Sequence, residues 1–149
     1  MSVVSTARHD IETRADCELL VRAFYEPALT DPVIGWLFTD VAHLDLEAHL
    51  PRIASFWETI LLGARSYSGG AFAPHAALNA RVPLRRGHFE RWLWLWRETV
   101  DEHFVGARAT LAKAHAERVA AAFQTRLAQP DESGALTDPE ILLPIIHRY

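Results

Sequence analysis

The sequence predicts an all-α protein. Three observations carry this. The long apolar stretches repeat at helical spacing, and none alternates in the manner of a strand. The connectors between them are short and rich in Gly, Pro, Asp or Ser. With 149 residues, 50% of them hydrophobic, the chain suits one domain spanning residues 1–149 that buries roughly two-thirds of its unfolded surface.

The first helix is expected from about Asp10 to Leu29, with Leu19, Leu20, Ala23, Phe24 and Ala28 as its apolar stripe. Tyr25 falls at the stripe's margin, and Pro27 distorts the last turn. Asp31-Pro32 reads as an N-cap followed by proline at the first helical position, opening a brief helix through Val33–Phe38 that Thr39-Asp40 closes. A second long helix is expected from about Asp45 to Leu62, with Gly63 as its C-cap. Pro51 cannot bond back to the carbonyl of Glu47, so this helix either starts near His49 or kinks beside it.

Residues 64–73 read as a loop on the strength of Ser66, Ser68, Gly69 and Gly70. Pro74 starts a single helical turn holding His75 and Leu78. The strongest helix follows, about Arg86 to Phe104, with Phe89, Trp92, Leu93, Trp96 and Val100 on one side. Trp94 falls off that stripe and faces outward or a neighbour. After Gly106, an Ala-rich helix over Ala107–Ala128 carries Leu111, His115, Val119 and Phe123 in register. Pro130 to Gly134 is a flexible break, and Thr137-Asp138-Pro139-Glu140 caps a short amphipathic piece, Ile141 to Ile146.

The totals exclude several classes of function. A net charge of −4 and no basic stripe argue against nucleic acid; Arg81, Arg85 and Arg86 form only a local cluster. No apolar run reaches the roughly 18 residues that a membrane span needs. Cys17 is the single cysteine, so no disulfide forms within one chain and a reducing compartment is the default. The N-terminal stretch has no basic region followed by an apolar one, so a cytoplasmic location is expected. Zinc-ligand spacing, a nucleophile elbow, a dinucleotide fingerprint and a P-loop are all missing from the sequence.

Among the eight histidines, most read as structural. His9 and His147 lie near the ends, His115 is a core or boundary residue, and His88 takes a surface or capping role. His103 sits at a helix C-terminus, where an imidazolium suits the dipole. His49 and His75 differ. In a helix, His49, Ile53, Phe56, Trp57 and Ile60 share one flat apolar face with an imidazole at its end. His75 is flanked by Ala76, Ala77 and Leu78, small enough neighbours to admit a planar group. A buried iron porphyrin needs such a wall and such a nitrogen. On periodicity alone, however, the aromatics serve equally as core packing.

Taken in order, Phe24-Tyr25-Glu26, Ile34-Gly35-Trp36-Leu37-Phe38-Thr39-Asp40, His49-Leu50-Pro51, Phe56-Trp57-Glu58, Leu61-Leu62-Gly63, Tyr67-Ser68-Gly69, His75 and His88-Phe89-Glu90-Arg91-Trp92-Leu93 resemble the group III truncated haemoglobins. The match runs through about residues 10–127. The resemblance implies a globin-like, two-over-two helical sandwich around haem b. His75 would be the proximal iron ligand. His49 would be the distal histidine and a candidate sixth ligand. Tyr25 and Trp92 would be the distal tyrosine and indole. Phe24, Phe38, Ile53, Phe56 and Trp57 match positions around the pocket, and Arg52 could reach a haem propionate. Residues 130–149 form an extension beyond the match, with no role assigned.

The expected function is then binding of O2, NO, CO or similar small ligands at a Tyr/His/Trp-lined site. Turnover on NO or peroxide would need an external reductase, because the chain has no flavin or NAD motif. The alternatives are a non-catalytic haem sensor and a haem-free helical interaction domain.

Overall fold

The structure, a computed structural model, describes residues 8–67, 69–70 and 72–128. The C-terminal extension, with its expected capped piece and His147, lies outside the described residues. Those described form five α-helices and one π-helical turn: α1 (Arg14–Leu29), the turn (Leu37–Val41), α2 (Leu46–Leu62), α3 (Phe72–Arg81), α4 (Arg86–His103) and α5 (Ala107–Ala128). No strand occurs among them. An isolated bridge joins His9 to Phe104. None of the helices is long and apolar enough to cross a membrane.

Helix α1 begins at a reciprocal cap. The Thr13 hydroxyl accepts from the Asp16 N–H, and the Asp16 carboxylate accepts from the Thr13 N–H. Its buried face is Cys17, Leu20, Val21, Phe24, Tyr25 and Ala28. That face is rotated from the expected stripe: Leu19 is exposed and Tyr25 lies inside. The reason is partner geometry. The i, i+3, i+4, i+7, i+8, i+11 ladder from Cys17 meets both α2 and α4. Pro27 is accommodated in the last turn, where it lies on the exposed side.

Asp31 is an N-cap, as the sequence predicted. Its Oδ2 accepts from the N–H groups of Val33 and Ile34. The brief helix after it widens into a π turn and runs on to Val41, past Asp40. The Ala42 N–H reaches the Leu37 carbonyl at 2.8 Å. Gly35 is needed for the approach to α1, because a Cβ there would lie 2.6 Å from the Leu29 carbonyl oxygen.

Helix α2 starts at Leu46 on an Asp45 cap, three residues before His49, and ends on Gly63 at φ 76°. Pro51 therefore sits inside the helix near its start, rather than at its beginning. Arg14 braces this region from α1: it donates to Ser55 Oγ, Glu58 Oε1 and the Pro51 carbonyl. Residues 64–67 and 69–70 lie outside any helix, but α3 is ten residues long, Phe72–Arg81, where a single turn was expected. The serine and glycine signals end earlier than the loop was read to, and Pro74 falls in the first turn, where its missing N–H costs little.

The helices form two pairs, α1 with α2 and α4 with α5, laid together through α1·α4 and α2·α5 contacts. α3 packs mainly on α5. The common core runs between the pairs and includes Phe24, Phe56, Trp57, Trp96 and Phe123.

Candidate functional site

A cleft opens between the π turn, α3, α4 and α5. The wall before α2 is Ile34, Leu37 and Phe38. Helix α3 contributes His75 and Leu78, and the segment through α4 contributes Leu84, His88, Phe89 and Trp92. Val119, Ala120 and Phe123 of α5 close it. It encloses about 570 Å³ between atoms, part of it continuous with solvent.

The lining is apolar except for a few groups. His75 is 8% exposed, one of only two buried residues on α3. Its ring lies 4.5 Å from that of Phe123, inclined at 56°. Among the described residues no group of three or more His, Cys, Asp or Glu is gathered. The donor set at the cleft is therefore imidazole in an apolar wall. That set suits a metal whose other bonds come from a flat organic macrocycle. An apolar cleft with an imidazole in one wall and an indole in another fits such a group.

Of the residues named from sequence, Phe38, His75 and Trp92 line the cleft together. Tyr25 does not line it; its buried ring meets Phe38 edge-on at 5.5 Å. Phe24, Ile53, Phe56 and Trp57 lie in the core behind. His49 is half-buried near the start of α2, and Arg52 is exposed one turn on.

His88 is the lining residue that the sequence reading placed elsewhere. It does cap α4: its Nδ1 accepts from the Arg85 N–H at 2.9 Å. The same ring also borders the cleft. Nδ1 is thereby an acceptor, so the neutral ring carries its proton on Nε2. Burial, then the nearby Arg85 charge, lowers its pKa and favours that neutral form. The signal was present in sequence as His88, Phe89 and Trp92 at i, i+1 and i+4, one helical face. The α5 contribution was partly legible in the Val119/Phe123 register.

The cleft's outer wall is anchored by an ion pair between the buried Asp31 and the half-exposed Arg91. Arg91 donates from Nε and from Nη2 to Asp31 Oδ1 at 2.9 and 2.7 Å. Burial alone would raise the Asp31 carboxyl. The Arg91 guanidinium and the N–H groups of Ile34 and Val33 outweigh burial and hold it below the usual value. The pair fixes α4, one residue before Trp92, to the turn that presents Ile34, Leu37 and Phe38. Across the cleft, Arg81 donates to the Val41 carbonyl at 2.7 Å, tying the end of α3 to the π turn.

No family model matches the chain. A curated relative, Group 3 truncated hemoglobin ctb of Campylobacter jejuni, is 27% identical over 111 residues, covering 72% of this chain and 85% of that protein. The crystal structure of a group III truncated hemoglobin from Campylobacter jejuni superposes with a TM-score of 0.72 at 25% identity, over 83% of this chain and 97% of that one. The all-α fold is the truncated globin fold, and the resemblance read from the sequence holds in both comparisons.

Proposed function

We propose that this truncated-globin fold holds haem b in the cleft and binds a small diatomic ligand there. A single observation carries the reading: His75, a buried imidazole, lines an apolar cleft that Trp92 borders from α4. In this reading residues 10–128 form the globin core, and His75 would hold the iron. Haem, when bound, supplies an iron with an open position for O2, NO or CO.

The chain's own residues then set what that position retains. His75 binds metal only through a deprotonated ring nitrogen, and a hydrogen bond from its other nitrogen sets its orientation and basicity. Trp92, which lines the cleft, would offer an N–H to the ligand; Tyr25, packed behind Phe38, and His49, near the start of α2, are the candidates for a second donor, an O–H or a neutral-ring N–H. Each neutral hydrogen bond contributes about 0.5–1.5 kcal/mol, more toward a charged acceptor. Since about 1.4 kcal/mol is tenfold in affinity, two donors that reached the ligand would strengthen its retention by about one to two orders of magnitude. That favours retention or redox turnover on NO or peroxide, with electrons from an external reductase. Phe24, Phe38, Ile53, Phe56 and Trp57 exclude water from the ligand side. Arg52 is the candidate partner for a carboxylate at the cofactor's edge.

Haemin titration tests the reading. The expected outcome is a sharp Soret band that is lost in His75→Gly and partly restored by free imidazole. A colourless protein that takes up no haemin defeats it. For the ligand side, Tyr25→Phe should speed oxygen release; an unchanged, already fast off-rate would remove Tyr25 from that role.

A further inference from the structure

Behind the cleft wall, three indoles lie in one row. Trp92 and Trp96 are 7° from parallel with centroids 6.1 Å apart, and Trp96 and Trp57 are 21° from parallel at 4.6 Å. Phe56 follows Trp57 at 4.9 Å and meets Tyr67 at 5.4 Å. The row starts at a residue lining the cleft and crosses the dry core through Trp96 and Trp57. It ends at a half-buried phenol beside the exposed loop residues Arg65 and Ser66.

Packing alone does not require indoles here. Leu or Phe would fill the same space without burying an N–H that must be satisfied. The Trp96 Nε1–H is satisfied, by the Ala112 carbonyl at 3.2 Å. What indole and phenol add over Leu and Phe is easy one-electron oxidation. The geometry points to a path for oxidising equivalents: a vacancy created in the cleft passes from Trp92 through Trp96 and Trp57 to Tyr67. The inference rests on the haem reading, since a hydroperoxide needs a redox-active group in the cleft to become a one-electron oxidant.

The step balances with a hydroperoxide as oxidant and a small phenol as reductant. Breaking the O–O bond of hydrogen peroxide and forming two waters consumes two electrons and two protons in the cleft. Each electron is drawn from Trp92 and replaced by the next ring outward. The carbonyl on Trp96 is no base, so a vacancy there keeps its charge and moves on. Tyr67 supplies the last electron and releases its hydroxyl proton to solvent. A phenol at the surface returns a hydrogen atom to it and leaves as a phenoxyl radical. Two phenols are used for each peroxide.

The test uses the haemin-loaded full chain mixed with equimolar hydrogen peroxide. One portion is frozen for electron paramagnetic resonance, and another is spin-trapped and mapped by peptide mass spectrometry. A tyrosyl signal and a trap adduct on Tyr67 are expected. Trp96→Phe should lose the Tyr67 adduct while oxidation accumulates on Trp92. Tyr67→Phe, at a half-buried loop position, keeps the fold and should leave a persistent tryptophanyl signal. A Tyr67 adduct undiminished in folded Trp96→Phe, or a signal unchanged in shape in Tyr67→Phe, overturns the path while leaving haem binding intact. Failure to take up haemin overturns the reading beneath it and the path together.

Discussion

Helices α2 and α3 each carry one of the two histidines singled out from sequence, yet they are held in different ways. α2 buries Leu50, Ile53, Ala54, Phe56, Trp57 and Leu61, and it is capped by Asp45 and Gly63. Arg14 and Arg22 tie it to α1 through Glu58 and Glu47. α3 buries His75 and Leu78, and both border the cleft. At its far end Arg81 donates to the Val41 carbonyl, and the side-chain Oδ1 of Asn79 accepts from the Leu84 N–H. The chain alone therefore specifies α2. On the haem reading, the cofactor would add to the burial of α3.

The largest expected effect breaks the comparison directly. Removing haem, or making His75→Gly, should speed amide exchange throughout α3 while α2 amides stay protected; equal loss in both helices would show that α3 is no more dependent than α2. Trp57→Ala attacks the other side. It empties a core site stacked on Trp96 and should cost about 3–5 kcal/mol in urea unfolding. Native stability in that variant would mean that the α2 wall is not the rigid half.

Asp31→Ala comes next, at about 2 kcal/mol, because it strips both the Arg91 pair and a helix-type cap from the cleft's outer wall. Its pH signature has a definite sign. The folded carboxyl titrates below its ordinary value of 3.8, so its stabilisation is complete above that value and is lost as the pH falls through the lowered one. The native protein should lose stability on that acid limb, and Asp31→Ala should show a flatter limb there. The smallest effect is Arg22→Ala. Its pair with Glu47 is exposed, and its loss should leave the urea midpoint almost unmoved, with no change in α2 exchange.

Much of the fold was legible because helical periodicity is local. The extents of α2, α4 and α5 follow from caps and stripes: Asp45 and Gly63 bound α2, and the break at Gly106 separates α4 from α5, whereas α1 starts at Arg14 on the Thr13 cap, four residues after the expected Asp10. The length of α3 was not legible. Phe72–Arg81 has a weak stripe and a proline, and its helix depends on neighbours distant in sequence. The cleft was legible only in part. Phe38, His75 and Trp92 were named in advance, while His88 looked like a cap and is one. Its second role as cleft lining depends on how α4 crosses α3, which no local pattern records.

The sequence by itself determined the helical class, the order of the elements and the residue types able to bind a metal or hydrogen-bond a ligand. Those properties reside in spacing along the chain and in side-chain chemistry. The tertiary structure alone decided which face of α1 is buried, that Asp31 and Arg91 meet across 60 residues, and that three tryptophans from α2 and α4 stack in one row. Such contacts arise from packing two helix pairs against each other. They bury apolar area between the pairs and give the buried Asp31 carboxylate its partner, a condition on how helices meet rather than on any one segment.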